Sequence, residues 1–148
     1  MADVMDMIEN LNSLNIDKEA KVAIAKTTND MVKLNQEQLT YGLRADGKKI
    51  GHYRNSEYAA MKNAMNPLPG FGFVDLILTG AFYESFEIDV NGDELERFAT
   101  DSKADSLIDK YGDEVFGLTE NNQEFYNEEI FYPLFADAIE EQTGLKFE

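Results

Sequence analysis

The chain has 148 residues, no cysteine and a formal net charge of −16. The lack of cysteine excludes disulfides, thiolate metal sites and a cysteine nucleophile. Hydrophobic residues make up 43% of the chain and aromatic residues 11%, which is typical of a folded protein and argues against disorder. The length predicts a single domain over residues 1–148, with 15–148 as its core and 1–14 as a candidate N-terminal arm.

The N-terminal part of the chain predicts two helices. Residues 2–14 place apolar side chains at helical spacing. A longer helix is expected to begin near Asn15 or Asp17, both common N-cap residues, and to end near Leu39. This long helix is the main element predicted for the first third of the chain.

Two irregular segments follow the long helix. Residues 42–55 contain three glycines and an Asp-Gly pair, which predicts a long loop or a loose hairpin. Loops of this length are often functional. Residues 66–73 contain two prolines and two glycines, which exclude a regular element. Between them we expect a short helix over residues 56–65, capped by Ser56, with one face formed by Tyr58, Met61 and Met65.

The clearest local pattern lies in residues 85–99. Phe86, Ile88 and Val90 alternate with acidic residues, and Asn91-Gly92 follows them. Asn-Gly beside an alternating run predicts a β-hairpin, because a type I′ turn needs two residues that tolerate positive φ. A small antiparallel sheet is therefore expected here.

Two helices are predicted near the C-terminus. The first covers about 102–111 and ends at Gly112, and the second is capped by Thr119 and ends near Gln142. Pro133 lies inside the second helix and is expected to kink or divide it. The predicted class is α+β, with a long N-terminal helix, an Asn-Gly hairpin and a kinked C-terminal helix. The buried face of that last helix should hold Phe131, Leu134, Phe135, Ala138 and Ile139.

Charge is unevenly distributed along the chain. Residues 1–74 hold nine acidic and nine basic side chains, whereas residues 75–148 hold twenty acidic and four basic ones. An acidic half repels phosphate backbones and anionic membranes, so neither sequence-specific nucleic-acid binding nor membrane binding is expected. A basic segment in the neutral half contains Arg44, Lys48, Lys49, His52, Arg54 and Lys62.

Two segments are predicted to contact other protein subunits. The basic segment would supply charge, and the Pro/Gly/Phe-rich segment 66–73 would present apolar side chains. Ordinary packing inside the domain is the alternative for the second segment. The candidate interface residues are Arg44, Lys48, Lys49, His52, Arg54, Pro67, Pro69, Phe71 and Phe73.

No motif in the sequence favours an enzyme. Gly-x-Ser-x-Gly, a phosphate-binding glycine-rich loop and His-Glu-x-x-His are all absent. Residues 89–93 look like the start of a calcium loop, but Glu94 and Thr100 stand where the loop needs its glycine and its bidentate glutamate. We therefore predict no catalytic residue, no cofactor and no metal. A weak divalent-ion site stays open at three aspartates spaced four apart, Asp101, Asp105 and Asp109.

The sequence also contains no targeting pattern. No apolar run approaches the roughly 20 residues of a membrane-spanning helix. The N-terminal residues lack the basic-then-apolar order of a secretion signal. The chain is therefore expected to stay in the compartment where it is made.

Several short motifs occur in a recognisable order. They are GLRADGK at 42–48, Tyr-Arg at 53–54, VDLILTGAFYESF at 74–86 and YGDEVFGLT at 111–119, followed by the last helix. In this order the chain resembles the small head–tail connector and tail-completion (virion morphogenesis) proteins of tailed bacteriophages, as found in Bacteroides-type phages and prophages. The resemblance covers residues 16–142. It departs from that group in the dense acidic half and in the lack of a tryptophan after the Asp-Gly loop.

The resemblance implies a structural virion protein without enzymatic activity. Such a protein forms a homo-oligomeric ring at the head–tail junction or upper tail, contacts portal, neck or tail proteins, and is assembled into the virion in the host bacterial cytoplasm. Ring subunits meet through two different surfaces, so one can be basic and the other acidic. The basic loop of one copy would then meet acidic surface of the next. Remaining acid would face DNA passing through the channel.

Two other functions stay open at this point. An acidic protein of this size could mimic DNA and inhibit a basic nucleic-acid-binding protein, and the acidic half favours that alternative. The hypothesis that the chain is a hydrolase with paired carboxylates is supported only by the abundance of acidic residues. A DNA mimic should bind a basic host protein, whereas a ring subunit should associate with itself or with other virion proteins.

Overall fold

The computed structural model describes residues 4–6, 9, 15–77 and 79–146, and within them the fold is of the predicted α+β class. The sheet is two-stranded and antiparallel, and helices precede and follow it along the chain. In chain order the elements are α1 (Ile16–Lys26), α2 (Thr28–Thr40), α3 (Ser56–Met65), α4 (Ala81–Glu84), β1 (Phe86–Asn91), β2 (Glu94–Ala99), α5 (Ala104–Tyr111), a 3-10 turn (Asp113–Val115), α6 (Glu120–Phe125), a π-helix (Tyr126–Phe131) and α7 (Tyr132–Thr143).

The chain divides into two compact units. The terminal unit comprises Met1–Thr28 and Glu124–Glu148, and the central unit comprises Asn29–Gln123. All nine candidate interface residues belong to the central unit. The predicted N-terminal arm lies outside the described residues except for 4–6 and 9, which are helical.

Helix α1 begins as predicted but ends early. The side chain of Asn15 caps it by accepting a hydrogen bond from the backbone N–H of Lys18 at 3.0 Å. The helix stops at Thr27, whose buried hydroxyl bonds the carbonyl of Ala23 at 2.9 Å and the hydroxyl of Tyr126 at 2.6 Å. The single long helix predicted from the sequence is therefore two helices, since a threonine that bonds back to its own helix commonly bends or ends it.

The last helix also differs from the prediction. Its path leaves α geometry at the π-helix, seven residues before Pro133, and Pro133 itself lies in the first turn of α7. Pro133 has no N–H to donate to the turn before it, and the π-helix that runs directly into α7 is the place where the regular α hydrogen-bond pattern is interrupted. The predicted kink at Pro133 is thus not confirmed. Gly144 ends α7 with a φ of 77°, as expected of a C-terminal glycine.

Small residues form much of the buried surface of the terminal unit, where α1 and α7 are in contact. Ala23 of α1 is buried, as are Ala136, Ile139 and Thr143 of α7. Of the predicted buried face of the last helix, only Ile139 is fully buried, and the other four residues are partly exposed.

An aromatic cluster lies at the centre of the central unit. The rings of Phe82 and Phe86 meet edge to face at 4.9 Å, and Phe116 packs 5.1 Å from Phe86. Edge-to-face pairs of this kind are favourable beyond the area that they bury. The buried members of this core are Leu39, Ile50, Val74, Leu76, Phe82, Phe86, Ala104 and Val115.

Two amides of α2 are buried beside this core. Asn35 donates to the carbonyl of Val115 at 2.9 Å and accepts from the N–H of Gly117 at 3.0 Å. Gln38 donates to the carbonyl of Gly117 at 2.8 Å and accepts from the N–H of Thr119 at 2.8 Å. These amides replace the hydrogen bonds that the irregular backbone 115–119 would otherwise make with water.

The hairpin is antiparallel, and its turn lies one residue further along the chain than the predicted Asn91-Gly92 turn. The pairing runs from Phe86↔Ala99 to Asn91↔Glu94, so Gly92 and Asp93 are the two central turn residues. Gly92 has a φ of 60°, and a glycine at the first central position is typical of a type II′ turn. The predicted Asn91-Gly92 turn is not confirmed.

Candidate subunit interface

The two predicted contact segments are joined into one surface of the central unit. Isolated antiparallel bridges link Leu43 to Lys49 within the first segment and His52 to Phe73 across the two. The N–H of Tyr53 donates to the carbonyl of Gly72 at 2.8 Å, which extends the second bridge. Backbone pairing therefore holds residues 42–55 and 66–73 side by side.

Phe73 is the point where the basic and the apolar segments meet. The ring of His52 lies 4.4 Å from the ring of Phe73. The ammonium of Lys49 lies 4.8 Å from the same ring and donates to the carbonyl of Pro69 at 2.8 Å. This cation–π contact stabilises the loop in addition to the hydrogen bond. Lys49 and His52 therefore hold the two segments in one shape and are also part of the surface that they form.

A close backbone approach at Gly42 also fixes the two segments. A Cβ atom at residue 42 would lie 2.8 Å from Cβ of Pro69 and 3.0 Å from the carbonyl oxygen of Val74, and its φ is +75°. Only glycine avoids both the steric overlap and the backbone strain.

Gly42→Ala is expected to destabilise the chain by at least about 1 kcal/mol more than Gly47→Ala. Gly47 has a similar φ of +82° but no atom within 4 Å of the position that a Cβ would occupy, so it measures the backbone strain alone. Urea unfolding of both variants followed by circular dichroism tests this. Equal losses would show that the contact with Pro69 and Val74 has no energetic role.

Apolar side chains of the second segment stand out into solvent. Phe71 is 60% exposed and Leu68 is 48% exposed, and Pro67 is exposed as well. Pro69, in contrast, is buried. Exposed apolar side chains on a loop held in one shape are typical of a protein-binding surface.

The basic side chains of the first segment have different environments. Arg44 is half-buried and paired with Asp46, with Nε 3.2 Å from Oδ1. The hydrogen bond from Arg44, and then that from the backbone N–H of Lys48, hold the pKa of the Asp46 carboxyl below its ordinary value. Lys48 and Arg54 are exposed. Lys48 and Arg54 are therefore better placed than Arg44 to meet an acidic partner.

Lys62 differs from the rest of the basic segment because it is buried. Its side chain is 5% exposed and its ammonium lies 2.8 Å from Oδ1 of Asp75, whose side chain is 2% exposed. Lys62 also donates to the carbonyl of Ile77. Asp75 accepts further hydrogen bonds from the N–H of Ile77 at 2.8 Å and the amide of Asn66 at 3.0 Å. Lys62 belongs to the basic segment of the sequence, but this ion pair holds its charge inside, so it does not contribute to a charged contact surface.

Helix α3, which carries Lys62, has the predicted bounds but a different N-cap. Asn55 caps it instead of Ser56, by accepting from the N–H of Tyr58 at 2.9 Å. Its buried residues are Ala59 and Lys62. On the predicted face of Tyr58, Met61 and Met65, the two methionines are 49% and 61% exposed.

A half-open cavity of about 610 Å³ lies beside α3. This volume is within the range of small-ligand and side-chain binding sites. None of the described residues that line it is Asp or Glu, and Lys62 forms part of the lining whereas its ion-pair partner Asp75 does not. The other lining residues that matter here are Arg54, Tyr58, Leu76, Lys110 and Tyr111.

Helix α5 supplies one side of this cavity. The ring of Tyr111 lies 3.3 Å from the position that a Cβ of Gly51 would occupy, and the ammonium of Lys110 lies 5.3 Å from that ring. Leu76 on another side has a φ of 63°, a strained value for leucine. Sequence reasoning missed Lys110, Tyr111 and Tyr58, since nothing in the local pattern relates α5 to the loop at 51–55.

Two tyrosines near Asp75 are held in their neutral form. Burial, reinforced by the negative charge of Asp75, raises the pKa of Tyr83 and of Tyr53 well above the ordinary value of 10.0. Tyr83 also donates its hydroxyl proton to the backbone carbonyl of Asp75. Ionisation of either phenol in the folded chain is therefore disfavoured.

The raised pKa values predict a loss of stability at alkaline pH. Above about pH 10 the unfolded chain releases the phenolic protons while the folded chain keeps them, so the free energy of unfolding falls as pH rises. Urea unfolding at about pH 8 and about pH 10.5 measures this slope. Tyr83→Phe should reduce it, whereas Tyr132→Phe, at a 51% exposed tyrosine, should leave it unchanged. An unaltered slope in Tyr83→Phe would contradict the assignment.

The part of the chain that the structure describes holds neither a metal site nor a membrane-spanning helix. Within it, no group of three or more His, Asp or Glu side chains is arranged to hold a metal ion. No helix there is long and apolar enough to cross a bilayer. Comparisons with protein-family models, with curated proteins and with solved structures found no match to this chain.

Proposed function

We propose that this chain is a structural virion protein of a tailed bacteriophage, a subunit of a homo-oligomeric ring at the head–tail junction or upper tail. The observation that carries the proposal is the joined surface of residues 42–55 and 66–73. Backbone pairing and the contacts of Lys49 and His52 with Phe73 hold it in one shape. A preformed surface with exposed apolar and basic side chains suits permanent contact between subunits.

The distribution of charge supports the same proposal. Lys48 and Arg54 are exposed on the joined surface, while residues 75–148 hold twenty acidic and four basic side chains. Contact between a basic surface on one copy and an acidic surface on the next is heterologous, and repeated heterologous contacts close into a ring when their rotation allows it. Acidic side chains that take no part in the contacts would face the channel of the ring and repel DNA there.

The composition of phage particles tests the proposal directly. Particles purified from an infected or induced culture would be resolved into components by peptide mass spectrometry. The chain should occur at a fixed, small copy number per particle, together with portal, neck or tail proteins. Finding it only in the soluble host fraction would overturn the proposal.

Variants of the joined surface test which part of the chain makes the contact. Phe71→Ser and Lys48→Glu are expected to reduce self-association about tenfold or more, and the Lys48 effect should depend on salt. Phe125→Ser serves as a matched control, because Phe125 is 49% exposed but lies outside the two segments. Sedimentation of each purified variant measures association. If association survives both changes and is insensitive to salt, the joined surface is not the interface.

A DNA-mimicking inhibitor is the second candidate function. The hairpin favours it, since Glu87, Asp89, Glu94 and Glu96 are all exposed on one face. A row of carboxylates on a rigid hairpin can imitate a run of phosphates. A mimic would be monomeric or dimeric, absent from particles, and would compete with DNA for a purified basic DNA-binding protein.

A further inference from the structure

One face of the hairpin concentrates negative charge. Cross-strand partners share a face, so the pairs Asp89↔Glu96 and Asn91↔Glu94 project on the same side as Glu87. Asp89 and Glu96 stand directly opposite each other, and like charges in that position destabilise a hairpin. A cation from outside the hairpin would relieve that repulsion.

The tip of the hairpin is not covered by its own chain. Every residue from Asn91 to Glu96 is exposed, and Leu95 at the tip is 40% exposed. A short two-residue turn keeps the tip narrow. The tip therefore offers carboxylates and one apolar side chain on a compact projection.

The cavity beside α3 has the opposite chemistry. Arg54 and Lys110 are exposed at its edge, and His52 also lines it. Leu76 and Val74 give it apolar walls. The Lys62 ammonium at the wall has three N–H groups, and Asp75 and the carbonyl of Ile77 use two of them. A carboxylate in this cavity could therefore pair with Arg54 and Lys110 at the edge and accept a hydrogen bond from Lys62 at the wall.

We propose that the acidic hairpin tip of one copy, residues 89–96, docks into this cavity on a second copy. The inference rests on the proposed function and names the contact that would build the ring. Carboxylates of Asp89, Glu94 and Glu96 would face Arg54 and Lys110, and Leu95, which lies on the opposite face of the hairpin, would meet an apolar wall of the cavity. Each copy carries both a tip and a cavity, so the contact is heterologous and can repeat around a ring.

The cysteine-free sequence allows a direct test by crosslinking. Two single-cysteine variants of the full chain, Glu94→Cys at the tip and His52→Cys at the cavity, are mixed and oxidised. They should form the mixed disulfide about tenfold more than a control mixture of His52→Cys with Lys33→Cys, an exposed residue of α2. Equal yields in the two mixtures, or no mixed product at any concentration, would overturn the docking proposal.

Charge reversal separates docking from general electrostatics. Arg54→Glu/Lys110→Glu should weaken self-association and the Glu94–His52 crosslink about tenfold or more, and Asp89→Lys/Glu96→Lys in the same chain should restore both. Lys33→Glu/Lys103→Glu makes the same change in net charge at exposed residues outside the cavity and should have little effect. A loss in both double variants would show that net charge is responsible, and no restoration would show that these charges do not pair across the contact. Docking can fail in this way while the chain is still present in particles, so the two proposals are separable.

Discussion

Replacing Lys62 with methionine is expected to lower the free energy of unfolding by about 3–5 kcal/mol. The ammonium of Lys62 is the cation next to the Asp75 carboxylate, and both side chains are buried, at 5% and 2% exposure. Methionine fills a similar volume but leaves Asp75 charged inside the central unit. An unpaired buried charge costs far more than the net gain from the intact pair. Urea unfolding monitored by circular dichroism and tyrosine fluorescence measures the loss.

Two further variants isolate the cause of this loss. Lys33→Met removes an exposed lysine from α2 and should change stability by no more than about 0.5 kcal/mol. Lys62→Met/Asp75→Asn removes both charges while keeping a side-chain oxygen for the N–H of Ile77, which now bonds Asp75 at 2.8 Å. It should be more stable than Lys62→Met alone. If it is not, packing of the lysine stem and not the buried charge explains the effect.

Replacing Phe82 with alanine is expected to cost about 3–5 kcal/mol of stability. Phe82 is 6% exposed, and its ring contacts Phe86 at 4.9 Å and lies 6.5 Å from both Tyr83 and Phe116. Removal of the ring leaves a cavity in the aromatic cluster and removes its edge-to-face contact. The same unfolding measurement at matched protein concentration tests the prediction.

Phe71→Ala is the matched control for Phe82→Ala. Phe71 is 60% exposed, so its truncation should change stability by no more than about 0.5 kcal/mol. It should nevertheless weaken self-association, because the ring belongs to the proposed interface. A large stability loss in Phe71→Ala would show that the ring packs within the chain. A small loss in Phe82→Ala would show that the aromatic cluster is not the core.

Local sequence determined many of the element boundaries. Asn15 caps α1 and Gly112 ends α5, as predicted, and α7 ends at Thr143, one residue beyond the predicted end near Gln142. Residues 66–73 form no regular element, and strands occupy the region predicted for the hairpin. These features depend on one residue and its immediate neighbours, through capping hydrogen bonds and left-handed backbone conformations that glycine allows.

The sequence also singled out both segments of the candidate interface, but only the tertiary structure decided how their side chains are used. Lys49 and His52 pack on Phe73, Pro69 is buried, and Lys62 is withdrawn from the surface by Asp75. These outcomes depend on partners outside the basic segment. Side-chain charge alone could not distinguish a lysine in solvent from a lysine in a buried ion pair.

The remaining differences also come from contacts between residues far apart in the chain. Thr27 ends α1 with its hydroxyl bonded to that of Tyr126, and Asn35 and Gln38 are buried because they bond the backbone at 115–119. The cavity combines α3, residues 74–77 and α5. The sequence by itself thus determined where elements begin and end, since capping and turn chemistry are local. Tertiary structure decided which polar groups are buried, because that depends on hydrogen-bond partners many residues away.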